Sequence, residues 1–201
     1  MEFKDIFDKL ADVRLYAKEN FVPIIRDESA KYMFEFVKNN NIKNILEIGT
    51  AIGYSGSILL SANQGFLVTV DKNPKVIEIA KDTFDKLNLS DRTEIYCDDA
   101  INLINKLDQE ERKFDMIFLD GAKGQYIKYL PILTRLLDDN GIIFADNVLL
   151  QGMVESNEKI PHRKRTMVVN LRKYLEVVSN EPYETELLHI EDGMAITKLK
   201  R

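Results

Sequence analysis

Hydrophobic and polar residues alternate in two different ways along the chain, and the pattern changes near Asn44. Before this residue, apolar side chains recur at helical spacing, which predicts two helical stretches separated at Pro23. After it, short apolar runs alternate with longer amphipathic segments, and these runs are NILEIG, FLVTVD, TEIYC, MIFLD and GIIFAD. Strands that alternate with helices in this way favour right-handed βαβ units and a parallel sheet with helices on both faces.

The C-terminal part of the chain has a different strand pattern. Two further segments, PYETELLHI and GMAITKLK, are separated by a turn at Glu191-Asp192-Gly193, which predicts an antiparallel hairpin that closes the sheet. The expected fold is therefore a doubly wound, Rossmann-like α/β fold with a mostly parallel seven-stranded sheet. No repeat or flexible linker divides the sequence, so residues 1–201 are expected to form a single domain with residues 1–40 as a helical N-terminal extension.

Composition narrows the class of protein. The chain has 201 residues, of which 45% are hydrophobic and 30% are charged, enough to bury a core and unlike a disordered segment. No apolar run approaches the roughly 18 to 20 residues of a membrane span, and the first residues are too charged for a secretion signal. We therefore expect a soluble, cytoplasmic protein with no membrane contact. The single cysteine, Cys97, excludes an internal disulfide and is expected to be a small buried side chain.

Charge is distributed unevenly along the sequence. The formal net charge of −5 and the sequence pI near 5.2 argue against general affinity for nucleic acid. Residues 159–173 nevertheless hold basic side chains and no acidic one. The members of this basic run are Lys159, Arg163, Lys164, Arg165, Arg172 and Lys173. The run is either a solvated helix start or a local contact for phosphate groups.

The turn after the first predicted strand has the composition of a ligand-binding loop. Gly49 and Gly53 allow a sharp turn and a close approach of the backbone to a ligand. A dinucleotide fingerprint would also need glycine at the positions of Ala51 and Tyr54, so a bound pyrophosphate is disfavoured. Asp71 ends the second strand, where a carboxylate is well placed to accept hydrogen bonds from a ribose diol.

Two more features of this edge of the sheet concern the ligand. The third strand ends near Asp99 and Ala100, a position from which an adenine edge can be contacted. Glu47, the two glycines and then Asp71 form a pattern that resembles class I S-adenosylmethionine-dependent methyltransferases. Their ligand has a sulfonium and an amino group and no phosphate, which suits a carboxylate in place of a third glycine. The alternative is an ordinary strand-to-helix turn whose glycines only permit packing.

Carboxylates also end the fourth and fifth predicted strands. MIFLD ends at Asp120, and GIIFAD ends at Asp146, which Asn147 follows. Neighbouring parallel strands present their carboxyl ends to the same crevice, so these side chains are expected to converge. Two close carboxylates repel each other unless a cation lies between them, and their oxygens with an amide oxygen suit Mg²⁺ or another divalent cation. The alternative is that Asp146 and Asn147 only cap the next segment.

Together these motifs resemble the divalent-cation-dependent O-methyltransferases that include catechol and caffeoyl-coenzyme A O-methyltransferases. The resemblance extends from about Pro23 to the C-terminus, and it implies an S-adenosylmethionine-dependent enzyme that forms a homodimer. It also implies that Asp120, Asp146 and Asn147 hold the metal, and that Lys123 is the catalytic base beside Asp120. The residues that it implies in donor binding are Ile25, Glu47, Gly49, Ser55, Asp71, Asp99, Ala100 and Asp120.

Two kinds of acceptor fit a metal with two free neighbouring positions: a catechol, and 5-hydroxyuridine, whose hydroxyl lies next to the 4-carbonyl. Gly121 and Ala122 stand where the catechol enzymes have His-Trp, so an aromatic wall of the acceptor site is expected to be missing. The segments PIIRDES, LEIGTAIGYS, GAKGQY and HRKRT are most similar to bacterial tRNA 5-hydroxyuridine O-methyltransferases. That similarity implies tRNA as a partner and 5-methoxyuridine at the wobble position as the product. Arg163, Lys164 and Arg165 are then the expected RNA contacts.

The sequence leaves two alternatives open. In one, the acceptor is a small catechol-like molecule, and the basic run faces solvent or binds an anionic acceptor. In the other, which is a different class of protein, the chain binds S-adenosylmethionine without catalysis and interacts through its N-terminal helices. The joint presence of the two strand-end aspartates, Asn147 and Lys123 disfavours this second alternative.

Overall fold

A mixed sheet of seven strands forms the centre of the protein in the computed structural model, which describes residues 1–200. In chain order the strands are β1 (Asn44–Ile48), β2 (Phe66–Asp71), β3 (Thr93–Cys97), β4 (Phe114–Leu119), β5 (Leu137–Asp146), β6 (Tyr183–Leu188) and β7 (Met194–Leu199). Their order across the sheet is β3-β2-β1-β4-β5-β7-β6. Strands β1 to β5 are parallel, and β7 is antiparallel to both of its neighbours. The predicted mostly parallel sheet with a C-terminal antiparallel hairpin is confirmed.

Helices precede the sheet and connect its parallel strands. They are α1 (Phe3–Lys9), α2 (Ala11–Glu19), α3 (Asp27–Asn39), α4 (Tyr54–Ala62), α5 (Pro74–Lys86), α6 (Ala100–Gln109), α7 (Tyr126–Leu136) and α8 (Arg165–Val178). The first predicted helical stretch is divided into α1 and α2 at Leu10, a fully buried residue whose backbone angles are not helical. Within residues 1–200, none of the helices has the length and apolar character needed to cross a membrane.

The sheet separates two hydrophobic clusters, and successive residues of a strand face opposite clusters. In β1, Ile45 packs with the N-terminal helices, whereas Leu46 packs in the cluster that contains residues of α6, α7 and α8. In β4, Phe118 and Leu119 are divided in the same way. Because both faces of these strands are covered, most side chains of both sets are apolar, which explains the largely apolar runs in the sequence.

Two glycines shape the edge of the sheet where β1 and β4 end. Gly49 and Gly53 have φ angles of +111° and +79°, a region that side chains with a Cβ disfavour. A Cβ on Gly49 would also lie 2.8 Å from the backbone nitrogen of Gly121, which follows β4. The turns after β1 and β4 therefore approach each other this closely only because Gly49 and Gly121 both lack a Cβ.

The prediction that Cys97 is buried is wrong. The residue is exposed at the end of β3, which is the edge strand of the sheet. An edge strand has a neighbour on one side only, so its last residue is not covered as the ends of the inner strands are.

Candidate active site

A cleft of about 800 Å³ opens at the carboxyl ends of the parallel strands. It lies where the chain order reverses, since β1 is followed in sequence by β2 on one side and has β4 on the other. Ligands of open α/β sheets bind at such a switch point. The cleft is lined by six of the predicted site residues: Gly49, Asp71, Asp99, Ala100, Lys123 and Arg163.

The carboxylates of Asp71 and Asp99 line the part of the cleft at the carboxyl ends of β2 and β3. The Asp71 carboxylate accepts hydrogen bonds from the backbone N–H groups of Ala51 at 3.1 Å and Asn73 at 3.0 Å. Asp99 caps α6 by accepting the N–H of Ile101 at 3.2 Å. These bonds fix both carboxylates at the rim, each with oxygen lone pairs left for hydroxyl or amino groups of a ligand.

Glu47 and Ser55 lie beneath the cleft and do not line it. Glu47 is fully buried, and its carboxyl group accepts hydrogen bonds from Ser55 at 2.5 Å and from Thr69 at 2.6 Å. Burial raises the pKa of Glu47 to about 8, against the opposing effect of these two hydroxyl donors. Ile25 also lies outside the cleft lining, in the hydrophobic cluster around the N-terminal helices. Donor contacts of these three residues stay predictions.

Asp146 is a buried carboxylate without ordinary partners. It ends β5, and its side chain has no exposed surface. Neither carboxylate oxygen makes a hydrogen bond of normal geometry with any residue from 1 to 200. Burial, and then the charge of Asp120, raise the pKa of Asp146 to about 7, against a smaller opposing effect of the Asn147 backbone N–H. A buried polar group of this kind requires an explanation, because most such groups are hydrogen-bonded.

Asp120 and Lys123 form an ion pair beside Asp146. The ammonium nitrogen of Lys123 is 3.3 Å from Oδ1 of Asp120, and both side chains are largely buried. Burial raises the pKa of Asp120, and the positive charge of Lys123 opposes that increase. Asp146 has no such basic partner within hydrogen-bonding distance among residues 1–200, so the negative charge at this site is only partly compensated.

The donor set of this region fits a small divalent cation. Asp120 and Asp146 supply two carboxylates from the ends of adjacent strands, and Asn147 follows with an amide oxygen. Within residues 1–200, no group of three or more His, Cys, Asp or Glu residues could hold a metal. Mg²⁺ is commonly bound through one or two carboxylates and keeps several positions for water or substrate. The unpartnered oxygens of Asp146 are the observation that favours a cation at this position.

A short turn presents Lys123 to the cleft. Residues Lys123–Gln125 form a 3₁₀ helix that begins after Ala122, whose φ is +56°. Asn170 of α8 donates a hydrogen bond to the carbonyl of Gly124 at 2.7 Å. The position of the lysine is therefore held from α8, an element far away in sequence.

The structure separates the three residues predicted to contact RNA. Arg163 lines the cleft. Lys164 instead donates to Gln151 at 3.3 Å, and Arg165 donates to the carbonyl of Ile160 at 3.3 Å. Of these three basic residues only Arg163 lines the cleft, and contacts of Arg163, Lys164 and Arg165 with RNA stay predictions.

Sequence reasoning missed several residues of the cleft wall. Thr166, Met167 and Asn170 line the cleft from α8. Helical periodicity places Met167 on the apolar packing face of this helix, whereas the structure has it half-buried at the cleft. Periodicity gave no signal, because a methionine that faces the core and one that faces a ligand occupy the same helical stripe.

Comparison with known proteins identifies the family. The sequence model of the O-methyltransferase family matches residues 4–200. Caffeoyl-CoA O-methyltransferase 2 of Eucalyptus globulus is 29% identical over 181 residues, which are 85% of this chain and 72% of that protein. Catechol O-methyltransferase of Niastella koreensis is 36% identical over 115 residues, which are 56% of this chain and 52% of that protein.

Solved structures agree with this assignment. A Staphylococcus aureus protein described as a candidate caffeoyl-CoA O-methyltransferase has a TM-score of 0.84 and 31% identity, with 97% of each chain covered. The O-methyltransferase of Bacillus cereus, solved with S-adenosylhomocysteine, has a TM-score of 0.84 and 25% identity, with 98% of this chain and 91% of that chain covered. The chain therefore belongs to the O-methyltransferase family of S-adenosylmethionine-dependent enzymes, with caffeoyl-CoA and catechol O-methyltransferases among its relatives.

Proposed function

We propose that this enzyme transfers the methyl group of S-adenosylmethionine to a hydroxyl with a neighbouring oxygen, using a divalent cation such as Mg²⁺ held by Asp120, Asp146 and Asn147. The observation that carries the proposal is the buried Asp146 carboxylate, whose oxygens lack normal hydrogen bonds within residues 1–200. It lies next to a second carboxylate, and that carboxylate is paired with a lysine on the cleft wall.

The cleft suits the methyl donor at its acidic end. Asp71, Asp99 and Ala100 line the cleft, and we propose that Asp71 binds the ribose hydroxyls and that Asp99 and Ala100 contact the adenine. Gly49 lines the cleft at the end of β1, beside the position that we propose for the sulfonium group. The S-adenosylhomocysteine bound by the Bacillus cereus relative supports the same ligand class here.

Replacing Asp71 by alanine is expected to weaken donor binding. A lost hydrogen bond to a charged group is worth roughly 1.5 to 3 kcal/mol, which corresponds to about a 10- to 100-fold higher dissociation constant. Calorimetric titration with S-adenosylhomocysteine checks this value, with the exposed Asp82 of α5 changed to alanine as the control. An unchanged dissociation constant for Asp71→Ala would remove this residue from the donor site.

The reaction follows from the groups around the ion pair. A bound divalent cation supplies positive charge that lowers the pKa of an acceptor hydroxyl and fixes its direction. For its amine to accept the hydroxyl proton, Lys123 must first release to water the proton of the ammonium form that pairs with Asp120, and Asp120 holds the lysine at the cleft wall. The acceptor oxygen forms the new bond to the methyl carbon as the bond to sulfur breaks, which leaves a neutral thioether. Alignment of the two reactants by the cleft contributes roughly 7 to 11 kcal/mol when it is optimal.

For the acceptor, we propose 5-hydroxyuridine at the wobble position of tRNA, with 5-methoxyuridine as the product. Its hydroxyl and 4-carbonyl are the two neighbouring oxygens that such a site requires. Arg163 supports this acceptor, because it brings a cation of the basic run to the cleft itself. An anticodon base is unpaired, so a small protein can take it up without opening a duplex.

The basic run can be tested residue by residue. Arg163→Ala is expected to lower kcat/KM for tRNA more than Arg165→Ala does, because only Arg163 lines the cleft. The triple change of Arg163, Lys164 and Arg165 to alanine is expected to flatten the salt dependence, by about 0.7 in logarithmic slope for each phosphate that is no longer neutralised. Steady-state kinetics at several salt concentrations measure both effects. Equal kinetics for all variants would mean that the basic run does not contact tRNA.

A small catechol-like molecule is the second candidate acceptor. The 36% identity to a catechol O-methyltransferase favours it. The deciding experiment incubates 5-hydroxyuridine-containing tRNA with the enzyme, S-adenosylmethionine and Mg²⁺, beside a catechol reaction, and analyses both by mass spectrometry. Formation of 5-methoxyuridine supports the tRNA proposal, methylation of catechol alone supports the second candidate, and methylation of neither contradicts both.

We further propose that the enzyme acts in the cytoplasm as a homodimer formed through its N-terminal helices. Leu15 and Tyr16 of α2 expose apolar side chains, and the neighbouring Phe21 is 92% exposed. Side chains of this size are normally covered, so a second copy of the chain is a suitable partner. Light scattering of the purified protein measures the oligomeric state, and a monomeric mass would contradict the dimer.

A further inference from the structure

The turn between β6 and β7 is fastened to the loop that follows Asp146. The N–H of Val148 donates to the carbonyl of Gly193 at 3.0 Å, and the N–H of Leu149 donates to the carbonyl of Asp192 at 2.9 Å. Gly193 has a φ of +79°, and a Cβ at this position would overlap the side chain of Leu149. The turn and the loop therefore fit together only with glycine at residue 193.

The same turn is fastened to the start of α3. The carboxylate of Glu191 accepts the backbone N–H of Ser29 at 2.9 Å, and Arg26 forms an ion pair with Asp192 at 3.1 Å. The first N–H groups of a helix have no partner within the helix, and the residue before α3, Arg26, does not cap it with its side chain. Because Ser29 is buried, Glu191 supplies a bond that water cannot.

Several backbone conformations in this region need external support. Asn147, Leu150, Gln151 and Glu191 all have φ between +46° and +58° without being glycine. Such conformations are unfavourable by themselves and persist where surrounding contacts fix them. The hydrogen bonds from residues 148 and 149 to the hairpin turn are contacts of this kind.

We propose that Glu191 and Asp192 are positioning residues that hold Asn147 in the metal site by clamping the loop after β5 to the start of α3. The clamp consists of Arg26, Ser29, Glu191 and Asp192, and this inference rests on the proposed function of Asp146 and Asn147 as metal ligands. Strand β5 fixes Asp146 on one side of Asn147, and the bond from Val148 to the turn fixes the other side. One oxygen of the Glu191 carboxylate is bonded to Ser29, which assigns this side chain to the clamp, and Glu191→Gln tests whether its charge acts on the ion directly instead.

The inference is tested with full-length Glu191→Ala, Glu191→Gln and Glu184→Ala. Glutamine keeps an oxygen that can accept the Ser29 N–H and removes only the charge. Glu184 is the matched control, because it lies on the same hairpin and forms an exposed ion pair with Lys198 at 3.3 Å. Two measurements are made on each protein: calorimetric titration with Mn²⁺ alone, and hydrogen exchange of the Val148 and Leu149 amides.

Glu191→Ala is expected to raise the Mn²⁺ dissociation constant about 10- to 100-fold, as changes to residues that orient metal ligands commonly do. It is also expected to accelerate exchange of the two amides. Glu191→Gln should stay close to the wild type, and Glu184→Ala should match it. Should Glu191→Ala not fold, Arg26→Gln replaces it, because that change breaks only the half-exposed ion pair. A smaller reduction of Mn²⁺ affinity with faster exchange is then expected.

Failure of the clamp and failure of the proposed metal site give different results. Wild-type protein that binds Mn²⁺, together with a Glu191→Ala variant whose affinity or amide exchange is unchanged, overturns the clamp and leaves the metal site in place. An equal reduction of affinity in Glu191→Gln also overturns it, because charge and not position would then be responsible. Wild-type protein that binds no Mn²⁺, with amide exchange that still responds to Glu191→Ala, overturns the proposed metal site instead.

Discussion

Replacing Asp146 by alanine or asparagine is expected to abolish cation-dependent methyl transfer. The carboxylate is buried and carries no ordinary hydrogen bond to residues 1–200, so its charge is available to a cation and to little else. A metal ion supplies several kcal/mol of charge stabilisation, which corresponds to roughly a 1000-fold or greater reduction of kcat. Initial rates at saturating donor measure the reduction, with the exposed Asp91 changed to asparagine as the control.

Melting temperatures with and without Mg²⁺ distinguish a ligand role of Asp146 from a structural role. Burial raises the pKa of this carboxyl, which means that the ionised form costs free energy in the cation-free protein. Asp146→Asn is therefore expected to leave the cation-free melting temperature unchanged or higher. It should also eliminate the increase in melting temperature that Mg²⁺ gives the wild type, since only a site that binds the ion transmits that stabilisation. Full activity of either variant in chelated buffer would contradict the metal role.

Lys123→Met is expected to lower kcat by about 100- to 10,000-fold, the usual contribution of general acid–base catalysis. Methionine has a similar length and cannot accept a proton, and donor affinity should be retained because the cleft is otherwise unchanged. Lys128→Met is the matched control, since that lysine also lines the cleft.

Lys123→Arg tests whether the lysine acts as a base or only as a charge. Arginine keeps the positive partner of Asp120 but stays protonated at any accessible pH. A base at this position predicts that the arginine variant is as slow as the methionine variant. Retained turnover in Lys123→Arg, measured under single-turnover conditions, would assign the residue an electrostatic role alone.

The sequence by itself predicted the framework of the site for a geometric reason. Parallel strands end at the same edge of a sheet, so residues that terminate apolar runs are brought together whatever the loops do. Asp71 and Asp146 are the last residues of β2 and β5 in the structure, and Asp120 directly follows β4. Gly49 and Gly53 were also predicted from the sequence, because glycine adopts positive φ angles without a steric penalty and permits close backbone contacts.

Tertiary structure decided which neighbouring residues face the cleft. Arg163 lines it and Arg165 does not, although both belong to one basic run, because a 3₁₀ turn ends between them where α8 begins. Glu47 does not line the cleft, and its buried carboxyl group is bonded instead to hydroxyl groups of α4 and β2.

The contacts over the longest sequence distances were also decided by the tertiary structure alone. Asn170 holds the turn of Lys123, and Glu191 accepts the N–H of the buried Ser29 in the first turn of α3. Local sequence pattern specifies periodicity and chain reversal, which act within a few residues. It therefore determined the sheet and the residues at its strand ends. It could not determine the contacts between distant segments that orient Lys123 and the loop after β5, because those contacts depend on how the elements pack together.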